Sequence, residues 1–206
     1  MKLNFESKIF QAVSIFSTLL LHNILWFICS LPIVTIGSAT TAMYRIAFNV
    51  REERTTSIGA FFEAFRENFK KATISWGVLI SVFFAAVFYI NSLLTFSSLL
   101  VQRMMLAILL IVVVPIAIAG TYVFPLFSYY DNSIFQTWKN ALTIGILRAP
   151  QTIIIMILQI SPFLVAYAWP EWFLRLGILW VLLVPSLIVY WNSALLLKVF
   201  QSVQEV

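Results

Sequence analysis

Uncharged polar residues within long apolar stretches are the first candidates for chemistry in this sequence. His22 and Asn23 lie together near the middle of the first stretch, Asn91 and Gln159 lie in later ones, and Asn192 lies in the last. In a membrane, such side chains either line a path that hydrogen-bonds a neutral ligand such as a sugar, or tie helices together. We favour interhelical hydrogen bonds and keep His22, Asn23 and Asn192 as the candidate intramembrane polar lining.

Residue types that catalyse reactions are almost absent from these stretches. No Asp, Glu, Lys or Arg lies well inside one, and the single histidine, His22, has no nearby acid to orient it. The sequence contains no Walker-type loop, no GxGxxG motif and no HExxH motif. Cys29 is the only cysteine, so neither a disulfide framework nor a CxxC metal pair can be built. We therefore predict that the protein is not an enzyme and binds no metal or cofactor.

The composition is that of a membrane protein. Of the 206 residues, 62% are hydrophobic and only 10% are charged, whereas soluble domains carry roughly 25% charged residues. The formal net charge of +5 does not indicate nucleic-acid binding, which needs a basic stripe on a polar surface. Lys and Arg in cytoplasmic loops explain the positive charge. We expect the lipid bilayer as a partner and no nucleic acid.

Charge-free runs set the expected architecture. Five runs each exceed the roughly 20 residues that a helix needs to cross a bilayer, and helices satisfy their own backbone hydrogen bonds in lipid. We predict a single all-α domain over 1–206, a polytopic membrane helix bundle of about five transmembrane helices plus one or two interfacial amphipathic helices. The predicted spans lie near 11–34, 74–95, 105–127, 150–168 and 174–196.

The distribution of Lys and Arg predicts the orientation. With five spans, most of these residues fall in the first and third loops and at the C-terminal end. The positive-inside rule then places the C-terminus in the cytoplasm and the N-terminus outside. Alternatively, the uncharged residues 9–44 form a hairpin of two short spans that breaks near Pro32, which gives six spans and an N-terminus inside. We prefer five spans because Ile33–Ile36 lacks the residue types of a tight turn.

Two segments between the spans have the pattern of amphipathic helices. Residues 57–71 read SIGAFFEAFRENFKK, with large apolar side chains at helical spacing and charged residues at most other positions. Such a helix lies in the membrane interface or packs into a groove on a partner. Residues 133–147 form a weaker second case. The candidate partner-docking residues are Ile58, Phe61, Phe62, Phe65 and Phe69.

A more specific motif follows His22. Residues 23–41 read NILWFICSLPIVTIGSATT, and this segment resembles the N-terminal signature of the YesL family of bacterial membrane proteins. The matching features include Asn23, Leu25-Trp26, Leu31-Pro32-Ile33, Thr35 and Gly37. Residues 61–76 also resemble that family's Phe-rich segment. The resemblance implies a multi-pass plasma-membrane protein, encoded beside carbohydrate-uptake ABC transporters, with no catalytic residues to carry over.

The expected function is that of an accessory or regulatory protein associated with a carbohydrate ABC transporter, with permease subunits as partners. Glu63-Ala64 lacks the rest of the EAA–Gly signature through which permeases contact their ATPase, so we do not expect the chain to be the permease. A stand-alone channel or carrier for a neutral solute is the first alternative. A structural or assembly membrane protein is the second.

Overall fold

The computed structural model describes residues 2–93, 96 and 98–204, with the side chains of 2–7, 178, 203 and 204 left out of the description. Every element in this part of the chain is helical. The nine α-helices described are α1 (Lys2–Ser30), α2 (Ile36–Arg51), α3 (Ile58–Glu67), α4 (Phe69–Leu93), α5 (Leu99–Tyr129), α6 (Ile134–Leu147), α7 (Ala149–Ala168), α8 (Pro170–Arg175) and α9 (Gly177–Gln204). A short 3-10 helix, Ile33–Thr35, lies between α1 and α2.

Five of these helices are long and apolar enough to cross a membrane, which confirms the predicted all-α polytopic bundle. They are Lys8–Ser30, Phe69–Leu93, Leu99–Tyr129, Ala149–Ala168 and Leu179–Ser202. The predicted span 74–95 begins five residues after the start of α4, which lies at Phe69. Its last two positions, 94 and 95, lie outside the described residues. At most 22% of the residues in the most apolar part of each helix are buried inside the chain, so most of their surface is available to lipid.

The first span ends earlier than predicted, because the chain turns at Leu31–Thr35. Proline lacks a backbone N–H and disfavours helix in the residue before it, and α1 accordingly stops at Ser30. The Thr35 hydroxyl donates to the Cys29 carbonyl, and the Thr35 N–H donates to the Pro32 carbonyl over 2.9 Å. A 3-10 turn therefore reverses the direction of the chain. The prediction of a span that runs to residue 34 was wrong, because it assumed that a reversal needs the residue types of a tight turn.

Helix α2 returns alongside α1 as a helical hairpin. The Trp26 indole N–H donates to the Thr40 hydroxyl over 3.1 Å and joins the two helices. With 16 residues, α2 is about 24 Å long and shorter than a transmembrane helix requires. The hairpin considered as the six-span alternative is thus present, but its second arm is too short to count as a span. The orientation in the membrane remains a prediction.

Helix α2 is the most enclosed element of the described fold. It contacts α1, α3, α4, α5 and α9, and small residues dominate its first half. Small residues allow helices to approach closely in membranes. Larger side chains fill the second half, where the Phe48 ring lies 5.4 Å from Tyr129 and 6.1 Å from Phe200. Its buried residues are Gly37, Ser38, Ala39, Thr41, Ala42, Met43, Tyr44, Ile46, Ala47 and Phe48.

The predicted amphipathic segment 57–71 is divided between two helices. Ser57 caps α3, because its side chain accepts a hydrogen bond from the Ala60 N–H over 3.2 Å. Helix α3 ends at Glu67, Asn68 follows, and Phe69 begins the membrane-spanning α4. The second amphipathic segment, 133–147, coincides with α6, which Ser133 caps in the same way.

Gly37 allows the closest approach between α2 and α4, and this generates a stability prediction. A Cβ at Gly37 would lie 2.5 Å from the Ala72 carbonyl oxygen and 2.9 Å from the Trp76 Cβ, so the helices would have to separate. We expect Gly37→Ala to destabilise the fold by about 1–3 kcal/mol, measured as a lower thermal unfolding midpoint in detergent.

Gly77→Ala on α4 is the matched control for this substitution. A Cβ there meets nothing within 4 Å, and alanine favours helix over glycine by up to about 1 kcal/mol. We expect Gly77→Ala to unfold at or above the wild-type midpoint. Equal midpoints for the two variants would contradict the close approach at Gly37.

Candidate functional site

The apolar face predicted for residues 57–71 is divided into a buried side and an outer side. Phe61 is fully buried, with its ring 6.0 Å from His22, so it belongs to the core rather than to an exposed face. Phe62 and Phe65 are half-buried, whereas Ile58 is 45% exposed and Phe69 is 43% exposed. We call Ile58, Phe62, Phe65 and Phe69 the outer stripe, because their spacing places them along one line of the α3–α4 surface.

Charged groups lie on another side of α3 from the outer stripe. A polar cleft of about 720 Å³ lies between α2 and α3, and its walls carry two arginines and two glutamates. Arg45 and Glu67 form an ion pair across this cleft at 3.7 Å, with both side chains partly exposed. Helix α3 therefore presents an apolar stripe together with an exposed polar surface. The charged residues that line the cleft are Arg45, Arg54, Glu63 and Glu67.

Asn23 is bound to the backbone of α9 at its internal proline. Pro185 has no N–H to donate to the Val181 carbonyl one turn earlier, and the Asn23 amide Nδ2 donates to that carbonyl over 2.6 Å. The Ser186 N–H in turn donates to Asn23 Oδ1 over 3.0 Å. Asn23 is fully buried, and its side chain satisfies backbone groups that lipid could not satisfy.

His22 joins α1 to the start of α3. Its Nδ1 lies 2.7 Å from the Thr18 carbonyl oxygen, and its Nε2 lies 3.5 Å from the Ser57 carbonyl oxygen. Both ring nitrogens therefore face backbone carbonyl oxygens. The ring is 1% exposed. His22 thus makes the contacts of a packing residue.

Asn192 completes the predicted polar set but lies apart from the other two residues. It is fully buried and makes no hydrogen bond of good geometry with the described residues, although the Tyr44 hydroxyl lies next to it and to Gln159. None of the three residues lines the polar cleft beside α3 or the larger apolar cavity of the bundle. His22 and Asn23 contact backbone groups of other helices or their caps, and a polar lining formed by the three residues stays a prediction.

Arg51 is a functional candidate that the sequence did not single out. The sequence placed Arg51 in the loop after the first span. In the structure it is the last residue of α2, and its Nε donates to the Ser193 hydroxyl over 2.7 Å. Its Nη2 donates to the Tyr190 carbonyl, and the guanidinium lies 4.0 Å from the centre of the Tyr190 ring. These contacts tie α2 to α9. The small residues from Gly37 to Ala42 are the sequence signal that could have revealed a buried helix here.

A larger cavity lies between α1, α2, α4, α5, α7 and α9. Its volume is about 800 Å³, and its wall is almost entirely apolar. The few polar side chains on the wall include Thr40, Tyr44 and Gln159. In the part of the chain that the structure describes, no three His, Cys, Asp or Glu side chains come together to hold a metal ion. The aromatic residues of the wall are Trp26, Phe27, Tyr44, Trp76, Phe124, Phe163, Phe173 and Trp180.

Comparison with protein families places part of this architecture among known sequences. Residues 19–92 match the family described as "Protein of unknown function, DUF624". The matched segment contains the second half of α1, the turn at Pro32, α2, α3 and nearly all of α4. No curated protein and no solved structure matches the chain. The chain is therefore an all-α membrane helix bundle in which residues 19–92 are similar to DUF624 proteins, and nothing found in its described residues indicates catalysis.

The contacts of Asn23 with α9 generate a coupling prediction. Asn23→Leu removes the bond to the Ser186 N–H and leaves the Val181 carbonyl without its donor in an apolar core, which should cost about 1–3 kcal/mol of stability. The substitution Pro185→Ala restores a backbone N–H that can donate to Val181, so in that background the same Asn23→Leu change should cost clearly less. The measurement is the unfolding midpoint, in one detergent, of the wild type, Asn23→Leu, Pro185→Ala and the double variant.

Asn91→Leu is the control for the loss of an amide in a span. Asn91 is exposed and donates to the Val87 carbonyl of its own helix. We expect this variant to unfold within about 0.5 kcal/mol of the wild type. An equal cost of Asn23→Leu with and without Pro185 would show that Asn23 does not act through the proline.

Proposed function

We propose that the protein is a multi-pass plasma-membrane accessory protein that associates with a carbohydrate ABC transporter and regulates it. The docking surface is the outer stripe of Ile58, Phe62, Phe65 and Phe69. The observation that carries the proposal is that Ile58 and Phe69 are exposed and Phe62 and Phe65 only half-buried, although Phe61 and Ala64 on the same short helix are buried. The resemblance of the N-terminal region to the YesL family supplies the kind of partner.

The chemistry of the α3 surface supports docking to a protein. Amphipathic helices bind partners by laying an apolar face into a groove, and protein interfaces combine an apolar centre with a polar rim. Arg66 and Lys70, which follow Phe65 and Phe69 in the sequence, are exposed and can form such a rim. We place this surface, together with the C-terminus, on the cytoplasmic side, since residues 45–71 hold the densest group of Lys and Arg.

The alternative of a carrier for a neutral solute receives less support. His22 and Asn23 are engaged with backbone groups of the described helices, and neither they nor Asn192 line the main cavity. A water-soluble solute would meet an apolar wall there. A protein with a structural or assembly role would use the same docking surface. It would stabilise or assemble its partner instead of regulating it.

The docking proposal predicts loss of a partner without loss of the protein. We expect the double variant Phe65→Ser, Phe69→Ser to copurify at least about tenfold less transporter permease than the wild type, since interface hot spots contribute about 2 kcal/mol or more. The measurement is a pull-down of the tagged protein from its native membrane in a mild detergent, with quantitative mass spectrometry of the permease and solute-binding subunits.

Phe135→Ser on α6 is the control, because Phe135 is 80% exposed and, like Phe65, lies outside the spans. We expect this variant to retain the permease. Phe61→Ser, by contrast, should lower the unfolding midpoint, since that ring is in the core. Unchanged copurification with the double variant would exclude the outer stripe as the docking surface. Recovery of the wild-type protein without any permease would exclude the association itself.

A further inference from the structure

The main cavity has the size of a ligand site but not the chemistry of a sugar site. Its volume of about 800 Å³ falls within the range of about 300–1,000 Å³ typical of small-molecule sites. Its wall includes the aromatic side chains of Trp26, Trp76, Phe124 and Trp180. Large aromatic side chains offer extensive apolar contact area, so the wall favours a hydrocarbon occupant.

Few polar groups line the wall, and only some of them are engaged. The Ser30 hydroxyl and the Trp76 indole N–H, which both lie on the wall, make no hydrogen bond with the described residues. The Thr40 hydroxyl accepts from the Trp26 indole, and the Thr121 hydroxyl donates to the Ala117 carbonyl of its own helix over 3.1 Å. A sugar would bring many hydroxyl groups that this wall could not pair, and unpaired polar groups are costly in an apolar site. An occupant must therefore be mainly apolar and carry few hydrogen-bonding groups.

The mouth of the cavity identifies the source of the occupant. Leu31, which is 64% exposed, and Phe163, which is 75% exposed, both line the cavity, so the cavity opens between them. Leu31 follows the end of α1, and Phe163 lies near the end of α7. The ends of membrane-spanning helices lie where hydrocarbon meets lipid headgroups. The mouth thus faces the bilayer, at a depth where a lipid can insert a chain and leave its polar end outside.

Gln159 supplies a polar amide just inside this mouth. It lies one turn before Phe163 on α7, is half-buried and lines the cavity. Its neighbour is the Tyr44 hydroxyl, and one such contact leaves further donor capacity on a primary amide. An ester carbonyl oxygen at the start of an acyl chain is an acceptor of the right kind for this amide.

We propose that this cavity binds one glycerolipid of the bilayer. One acyl chain lies among the aromatic side chains, and its ester carbonyl accepts a hydrogen bond from Gln159. The site lies apart from the outer stripe of α3, so it does not depend on the transporter association proposed above. The lipid would fill space between α1, α2 and α9 and thereby connect the packing of the hairpin to its membrane environment.

The first test is native mass spectrometry of the delipidated protein titrated with palmitoyl-oleoyl phosphatidylglycerol. We expect one lipid per protein to remain bound under activation that removes all others. Val184→Trp, which fills the cavity from α9, should remove this lipid, whereas Val112→Trp on the 50% exposed surface of α5 should retain it. Absence of a one-to-one complex in the wild type, or equal retention by both variants, would overturn the proposal.

A second test examines the contact with Gln159. Gln159→Leu should weaken retention of the diester lipid about fivefold, the loss of one neutral hydrogen bond. It should leave retention of the corresponding diether lipid, which lacks the carbonyl groups, nearly unchanged. Equal weakening for both lipids would show that Gln159 acts on packing alone and would remove the ester contact from the proposal.

Photocrosslinking keeps the proposal testable if Val184→Trp fails to fold. A phosphatidylglycerol with a diazirine at the end of one acyl chain is incorporated with the wild-type protein and irradiated. Crosslinks in peptides that contain Trp76, Phe124 or Trp180 are expected. Crosslinks confined to outward-facing residues, such as Phe83 and Ile111, which are 62% and 72% exposed, would show that lipid binds only around the bundle.

Discussion

The close packing around α2 is the constraint on which the rest of the structure depends. A helix of 16 residues is shorter than a helix that crosses the bilayer by itself. It is stable here because five other helices cover it. That enclosure requires small side chains where α4 approaches at Gly37, and large ones where Phe48 meets Tyr129 and Phe200. The hydrophobic effect gives little preference for helix–helix over helix–lipid contact in a membrane, so close packing and hydrogen bonds must select this arrangement.

Polar groups in the described core follow from the same constraint. Asn23 pairs with backbone atoms on both sides of Pro185, and Arg51 pairs with Tyr190 and Ser193 one and two turns further along α9. Both residues therefore hold α9 against the hairpin at positions where the apolar surfaces alone would slide past one another. A polar group without a hydrogen-bond partner is costly in hydrocarbon. A few hydrogen bonds between helices therefore fix the register of long apolar helices.

Much of the fold could be predicted from the sequence, but little of the site could. Long charge-free runs determine helices and their number, because lipid leaves no other way to satisfy the backbone. The turn after Ser30 was harder to predict, because Pro32 marks a helix end without showing that the chain reverses. The contacts of Asn23 were unpredictable for a related reason: its partners on α9 are far away in the sequence, and an apolar sequence gives no sign of which helices adjoin. The residues of α3 show the same limit of sequence reasoning. Their periodicity predicted an apolar face of the helix, but it did not show which half of that face the core would cover.

The two proposed functions occupy different parts of this architecture, and that separation has a physical consequence. The outer stripe lies wholly within residues 19–92, the segment that matches the DUF624 family, and it needs only α3 and the start of α4. The lipid cavity needs α7 and α9 as well, so it exists only when the later helices close on the hairpin. Helix α2 contacts α3, which carries most of the outer stripe, while Met43 and Tyr44 of α2 face the cavity. A change in what fills the cavity would therefore reach α3 through α2, because the close packing of α2 leaves it little freedom to absorb a displacement.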